Sequence, residues 1–226
     1  MWFASALCLT NFVAAWWFLP ESRRAGATSQ GLGRIASFQH AMRQPTLMLL
    51  LVLYFLVTAA FSGFEATFAL FSEHRFGFTA ATIGFVFAFI GVVLALVQGV
   101  VVGRVVKRIG EARLIPFAIL TIAIGLGLLP LAWNIPALLG ALFILAMGMG
   151  FNTPSLSSLV SKLSSPDDQG GILGLASSAA SLGRVVGPAW GGYCYDAYGM
   201  TTPYLTASAI MLVTCAVSFI GLRSKA

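Results

Sequence analysis

Arg184 is the residue of this chain whose type and position point most directly to chemistry. It lies in an otherwise apolar, glycine-rich stretch at 171–192, inside the phrase SLGRVVGPAWGG. A charge at bilayer depth costs roughly 2.5–3.5 kcal/mol or more, so it normally faces a bundle interior or a water-filled path. The chain must therefore supply a partner or a polar route for this guanidinium.

Glu65 is the partner that the sequence offers. At 1.5 Å per residue, Glu65 lies about 9 Å and Arg184 about 12 Å below the outer ends of their predicted spans, so we expect them to interact directly or through water. Burial favours the protonated form of a carboxyl group, whereas a nearby arginine favours the ionised form. A carboxyl group balanced in this way could exchange protons and couple substrate export to proton entry. A structural ion pair and a water-exposed residue are the alternatives.

Two further polar side chains, Gln98 and Asn152, lie toward the cytoplasmic side of predicted spans. Asn152 stands close to Pro154, and a proline inside a span is compatible with a cavity wall because the lost backbone bond can be satisfied there. Both residues either line a substrate path or make interhelical hydrogen bonds worth about 0.6–2 kcal/mol each.

The elements that must position these residues are membrane spans. Hydrophobic residues make up 58% of the 226-residue chain and charged residues 9%, and the mean hydropathy is +0.91. About 20 apolar residues cross a bilayer, and helices satisfy their own backbone groups in lipid. We predict an all-α integral membrane protein with seven transmembrane helices: Met1–Leu19, Thr46–Phe71, Thr79–Val102, Leu114–Trp133, Pro136–Val160, Gly171–Gly192 and Thr201–Leu222.

The basic residues alternate between the connections. Lysines and arginines are concentrated in every second connection and in the tail: Arg23, Arg24, Arg34, Arg43, Arg104, Lys107, Arg108, Arg113, Lys162, Arg223 and Lys225. Among lysines and arginines, the other connections hold only Arg75. The positive-inside rule then puts the N-terminus outside and the C-terminus in the cytoplasm of a multi-pass cell-membrane protein. No basic face for nucleic acid is formed, although the net charge is +6.

Metal, cofactor and catalytic signals are missing from the sequence. Cys8, Cys194 and Cys215 fall in or near spans with no metal-binding spacing. No HExxH, GxSxG or phosphate-loop motif occurs. We therefore expect neither a cofactor nor a metal, and no enzymatic activity. In the long connection at 20–45, Leu32–Met42 has the spacing of a short helix on the cytoplasmic surface.

Four segments carry a family resemblance. They are FLPESRR at the end of the first span, GRVVKRIGEARL at 103–114, GMGFNTPSLSSLVSKLSSPDDQGGILG at 148–174 and SLGRVVGPAWGGYCYD at 181–196. In this order and spacing they resemble the major facilitator superfamily, particularly its tetracycline-efflux-like bacterial branch.

The resemblance implies a fold, an activity and a missing partner. Members of this family have two six-helix halves joined by a cytoplasmic loop. Residues 1–19 look like the family's sixth helix, 20–45 like the inter-half loop, 46–222 like the C-terminal six-helix bundle and 223–226 like a cytoplasmic tail. The expected activity is proton-coupled efflux of a small molecule. It requires a lipid bilayer and an N-terminal six-helix half that is missing here or separately encoded.

The segment 103–114 resembles the family's loop signature, which latches cytoplasmic helix ends. The residues that match it are Gly103, Arg108, Gly110 and, near its basic end, Arg113. Lys107 stands at the family's acidic position and Glu111 at a basic one. A latch that depends on a carboxylate is therefore not expected. The other interpretation is a basic loop that only fixes orientation.

The last motif resembles the family's antiporter signature, GxxxGPxxGG, and weakly favours export. Its residues are Gly183, Gly187, Pro188, Gly191 and Gly192. Glycines at this spacing, like Gly99 and Gly103, let helix backbones approach closely. Such contacts serve static packing or moving helices, and Pro188 makes a kink plausible.

The alternative function for a chain with seven membrane helices is that of a receptor or a light-driven pump. A retinal pump needs a lysine in its last helix, and Thr201–Leu222 contains none. A receptor, or another membrane protein without transport activity, would leave the two signature segments unexplained.

Overall fold

The computed structural model describes residues 2–18, 44–165 and 168–223, and their regular elements are helical. The helices are α1 (Trp2–Phe18), α2 (Pro45–Phe76), α3 (Ala80–Leu96), α4 (Val102–Ile109), α5 (Glu111–Leu128), α6 (Ile135–Leu163), α7 (Gln169–Tyr198) and α8 (Thr202–Leu222). A π-helical segment, Val97–Val101, joins α3 to α4, and a 3₁₀ turn, Leu129–Leu131, follows α5.

The chain divides into two compact units, Met1–Gly31 and Leu32–Ala226. The first contains α1, an apolar helix of 17 residues. At 1.5 Å per residue it is about 25 Å long, close to the shortest helix that crosses a bilayer core. The predicted cytoplasmic connection and its surface helix at 32–42 lie outside the described residues.

The second unit contains six helices that are long and apolar enough to span a membrane. They begin and end close to the predicted boundaries, with α3, the π segment and α4 forming one span, Ala80–Ile109. The all-helical membrane fold is confirmed, with six full-length spans in the described residues and the shorter apolar α1 in place of the seventh. The spans extend beyond the apolar runs because polar residues continue the helices at their ends.

The bundle is organised around α2 and α5. The most extensive contacts join α2 to α7 and α5 to α6 and α8, while α3 packs on α6. An aromatic cluster fills the space between α2 and α8. The Phe71 and Tyr204 ring centroids are 5.0 Å apart, and those of Phe64 and Phe68 are 5.1 Å apart. These rings are almost completely buried, and each such aromatic pair contributes about 0.5–1.5 kcal/mol beyond its buried area.

The α2–α7 contact depends on the glycines of α7. A methyl group at Gly183 would lie 2.7 Å from the carbonyl oxygen of Phe55, and one at Gly191 would lie 3.1 Å from that of Gly63. Gly187, between them, approaches the carbonyl oxygen of Ala59 even more closely. The two helices are therefore in backbone contact over two turns, a separation that only small residues permit. Helix α7 continues through Pro188 without a break.

Three of the predicted packing glycines make no close helix contact. A methyl group at Gly99, Gly103 or Gly192 would meet no atom within 4 Å, so among the described residues these glycines do not pack one helix against another. The predicted loop at 103–114 is helical except at Gly110, where α4 ends and α5 begins one residue later. Gly110 has φ +78°, a left-handed conformation that favours glycine. Nothing before Gly110 breaks the helix, so Gly103 and Arg108 lie in α4, and Arg113 lies in the first turn of α5.

Candidate functional site

One face of α2 carries polar side chains through an apolar span. Tyr54, Thr58, Ser62 and Glu65 follow each other at intervals of four, four and three residues. This spacing places them on one side of a helix. The face adjoins the one that packs on α7, so the glycine contact fixes which way it points.

A cavity of about 310 Å³, here called the central cavity, lies against this face. Helices α2, α6 and α7 supply its wall: Tyr54, Val57, Thr58, Phe61, Ser62, Glu65, Met149, Asn152, Thr153, Leu156, Ala180 and Arg184. The structure thus places three of the four predicted pathway residues around one space. Tyr54, Thr58 and Ser62 were not predicted, although their helical spacing with Glu65 was a signal that could have identified them.

Glu65 and Arg184 both line the central cavity but form no salt bridge within 4.0 Å; among the described residues, the ion pair is Lys162–Glu111. The direct form of the predicted interaction is therefore wrong for this structure. Both side chains are exposed to the cavity rather than enclosed by protein.

The two charges lie deeper than predicted because their helices are longer. Glu65 is about 17 Å from the end of α2 at Phe76, and Arg184 is about 21 Å from the end of α7 at Tyr198. These two helix ends adjoin, since His74 Nδ1 lies 3.0 Å from the hydroxyl of Tyr195. Glu65 and Arg184 therefore lie at similar depths in the bundle, within about one helical turn of each other along the helix axes.

Asn152 is the most buried polar residue of the central cavity. Its side chain is 2% exposed, and its Oδ1 atom has no hydrogen-bond partner among the described residues. An unsatisfied buried acceptor costs about 1–3 kcal/mol. Asn152 thus places an unsatisfied acceptor in the wall of the central cavity, enclosed by protein in this structure.

Gln98 does not join this site. It lies in the π-helical segment between α3 and α4, where it is exposed and does not line the central cavity. A π segment inserts an extra residue into a helical turn and rotates the side chains that follow. The positional estimate from the sequence assumed a regular helix and therefore could not account for this rotation.

A second cavity of about 240 Å³, here called the hydroxyl chamber, adjoins the central cavity. Its lining residues are Tyr54, Ser157, Leu173, Ala176, Ser177, Ala180, Ser181 and Arg184. Tyr54, Ala180 and Arg184 belong to both cavities. The hydroxyl groups of Tyr54 and Ser157 are hydrogen-bonded at 2.6 Å across α2 and α6, where the two spaces meet. Sequence analysis missed this chamber because none of its serines stands out alone.

A carboxylate does hold helix ends together, contrary to expectation. Glu111, the first residue of α5, accepts a hydrogen bond of 2.7 Å from Ser158 and forms an ion pair with Lys162, both on α6. Only 10% of the Glu111 side chain is exposed, against 60% for Lys162. The carboxylate lies four residues after the position occupied by Lys107, and the one-residue break at Gly110 turns it toward α6.

We expect Glu111→Ala to lower the free energy of unfolding more than Lys162→Ala. Removing the exposed lysine loses a contact worth about 0.2–1 kcal/mol, while Ser158 still donates to the Glu111 carboxylate; removing Glu111 loses both contacts and leaves Ser158 without its acceptor. Thermal unfolding of the purified protein in detergent measures both changes in Tm. Lys107→Ala, an exposed lysine on α4, is the control and should leave Tm unchanged; equal losses from all three variants would contradict the latch.

Comparisons with known proteins agree with one another. The family model described as Major Facilitator Superfamily matches residues 1–132 and 99–226. Multidrug resistance protein 2 of Bacillus subtilis (strain 168) is 26% identical over 235 residues, covering 99% of this chain and 56% of that protein. Tetracycline resistance protein, class E, of Escherichia coli is 29% identical over 200 residues, covering 86% and 49%.

A solved structure is also similar. The human organic anion transporter MFSD10 (TETRAN) superposes with a TM-score of 0.79 at 26% identity, covering 96% of this chain and 56% of that one. The chain thus spans about half the length of the relatives that it matches.

Proposed function

The chain belongs to the Major Facilitator Superfamily, and from that premise we propose that it forms half of the route of a secondary transporter that moves a small molecule across a membrane. The observation that carries the proposal is Arg184. This residue lies near the middle of a membrane span, lines two adjoining cavities and has no ion-pair or hydrogen-bond partner among the described residues. A charge at that depth normally faces a protein-lined or water-filled route.

The transport cycle needs a second bundle. In alternating access, one six-helix bundle rocks against another around a site near the bilayer midplane. We assign residues 46–222 to one bundle, 1–19 to the preceding helix, 20–45 to the cytoplasmic connection between the halves and 223–226 to a cytoplasmic tail. The partner bundle, encoded in the same reading frame or separately, would close the exposed faces on which Glu65 and Arg184 lie.

The direction we propose is export from the cell, with the chain in the plasma membrane. Two relatives are resistance proteins by name, and the α7 glycines carry the antiporter-like pattern. The basic connections favour a cytoplasmic C-terminus and an outside N-terminus; a C-terminal tag should then be protease-resistant in intact cells. Family membership favours transport over a receptor function, and the proposal includes no enzymatic step.

Glu65 is the proposed coupling residue. It faces the central cavity without a salt bridge among the described residues, so its carboxyl group is free to take up and release a proton. A proton and a hydrogen-bond-donating or cationic group of the substrate would compete for the same carboxylate. Competition of this kind links export of the substrate to entry of the proton, because binding of either ligand weakens binding of the other.

Transport is tested by expressing the full reading frame that encodes this chain in cells lacking their main efflux pumps. The probes are tetracycline, the cation ethidium and the anion fluorescein. We expect lower accumulation of at least one probe, and the difference should vanish when a protonophore dissipates the proton gradient. Arg184→Gln should reduce the effect by at least about tenfold, equivalent to about 1.4 kcal/mol. Unchanged accumulation of all three probes would contradict the proposal.

A further inference from the structure

The two adjoining cavities differ in the charge of their walls. The central cavity contains both Glu65 and Arg184. The described residues that line the hydroxyl chamber include Arg184 but no carboxylate, and four of them carry hydroxyl groups: Tyr54, Ser157, Ser177 and Ser181. The chamber therefore combines one positive charge with short hydrogen-bonding side chains, and its electrostatic potential favours a negative occupant.

Part of this hydrogen-bonding capacity is unused. Tyr54 and Ser157 bond to each other, and Ser181 donates to the backbone oxygen of Ser177 at 2.9 Å. The Ser177 hydroxyl and the Arg184 guanidinium have no hydrogen-bond partner among the described residues. A guanidinium has five N–H donors in a planar fork that fits the two oxygens of a carboxylate or phosphate.

The polar side chains that α7 contributes to the chamber share one side of that helix. Ser177, Ser181 and Arg184 are separated by four and three residues on α7, which places them along a single face. The neighbouring face of α7 is held against α2 by the contact between Gly183 and the Phe55 carbonyl oxygen. The rotation of α7 is thus fixed by packing, so the donors are oriented before any ligand arrives.

The chamber is large enough for a chemical group rather than for water alone. Its volume of about 240 Å³ is many times the roughly 10–15 Å³ that a cavity needs to hold one water molecule. An anion placed there would offset the cost of holding Arg184 near the middle of a span. The chamber shares Tyr54, Ala180 and Arg184 with the central cavity, so a group held at Arg184 lies beside both spaces.

We propose that the hydroxyl chamber is a subsite for an acidic group of the transported molecule, a carboxylate, sulfonate or phosphate, held by Arg184 and Ser177. This inference rests on the proposed function and specifies its substrate class. With Glu65 accepting a donor or cationic group in the central cavity, the preferred substrate is amphoteric, carrying an acid at one end and a hydrogen-bond donor at the other. The proton competes at Glu65, while the acidic group remains with Arg184.

Protection from chemical modification tests the subsite without requiring transport. In the full reading frame with its native cysteines replaced by alanine, Ser177→Cys or Ser181→Cys is labelled with the neutral reagent N-ethylmaleimide. Benzoate and its neutral counterpart benzamide are the probes. We expect benzoate at ten times its Kd to slow labelling by about tenfold, by mass action. Benzamide should have little effect.

Two variants that each remove one positive charge test whether Arg184 is responsible for the protection by benzoate. Arg184→Gln should abolish protection by benzoate, whereas Arg104→Gln should retain it, because Arg104 donates to the Val100 carbonyl oxygen and lines neither cavity. Equal protection by benzamide, or protection that survives Arg184→Gln, would overturn the proposal. Failure of both cysteines to react would also overturn it, because a chamber closed to a small reagent cannot admit a substrate.

A second measurement needs no engineered cysteine. Benzoate should raise the Tm of the unmodified protein above the value in benzamide, and Arg184→Gln should remove the difference. Protection and a Tm shift without export of any probe would reject the proposed transport function while keeping the anion subsite. Export of a probe without either signal would reject the subsite while keeping transport.

Discussion

Replacing Glu65 by glutamine is expected to abolish transport driven by a pH gradient while preserving exchange of substrate for substrate. Glutamine keeps the size of the side chain and one acceptor oxygen, but it is uncharged and cannot take up or release a proton. If Glu65 is where proton and substrate compete, the variant still binds and reorients with substrate but can no longer be driven by protons. Gradient-driven flux should fall by at least about tenfold, equivalent to at least about 1.4 kcal/mol.

The measurement uses vesicles containing the full reading frame and the probe that is exported from cells. Uptake is recorded once with an imposed pH gradient and once without a gradient but with unlabelled probe on the opposite side. Glu73→Gln is the matched control. Glu73 lies about two turns further along α2, near its end, is exposed and does not line either cavity. Glu73→Gln should therefore change neither flux.

Two results with Glu65→Gln would contradict the proposed coupling role of Glu65. Undiminished gradient-driven flux would mean that another group carries the proton. Loss of both fluxes, together with a normal Tm, would make Glu65 a substrate-binding residue with no separate coupling role. Because the Glu65 carboxyl group forms no salt bridge among the described residues, the substitution should not unfold the bundle.

The second large effect is expected from Gly187→Ala. A methyl group there would collide with the carbonyl oxygen of Ala59 and crowd the backbone nitrogen of Gly63, at 3.0 Å. Both atoms belong to the hydrogen-bonded backbone of α2, so they cannot rotate away as a side chain could. Overpacking of this kind costs about 1–3 kcal/mol. The separation of α2 and α7 should also move Arg184 away from its place between the two cavities.

Gly192→Ala provides the matched control on the same helix. A methyl group at Gly192 would meet no atom within 4 Å. Alanine is a better helix former than glycine by about 0.8–1.0 kcal/mol, so this variant should be neutral or slightly more stable. Thermal unfolding in detergent should therefore give a lower Tm for Gly187→Ala and an unchanged or slightly higher Tm for Gly192→Ala. A Gly187→Ala protein as stable as the wild type would show that α2 and α7 are not in tight backbone contact.

Much of the fold was predictable because lipid imposes simple rules on a sequence. Apolar runs of about 20 residues in a chain with few charges must become helices, since no other open structure satisfies its backbone groups in hydrocarbon. The six long spans accordingly match the predicted segments, apart from their ends. The family motifs in order then favoured one arrangement of those spans over a receptor.

The site was predictable only in part. Embedded charges are expensive, so Arg184 and Glu65 were conspicuous, and Asn152 was conspicuous for its polarity. The serines of the hydroxyl chamber were not conspicuous in the sequence. A hydroxyl group on a membrane helix often bonds to the backbone of its own helix, so a serine there does not by itself indicate a binding site. Ser178, for example, donates to the Gly174 carbonyl oxygen at 2.9 Å and lines neither cavity.

The sequence by itself determined that this polypeptide crosses a membrane as helices and that Glu65, Asn152 and Arg184 would be its unusual residues. Only the tertiary structure decided that these three share a cavity, that Gln98 does not, and that Glu111 meets Lys162. The reason is rotational. Hydropathy sets where a helix enters and leaves lipid, but its rotation about its own axis is set by backbone contacts such as that between Gly187 and Ala59.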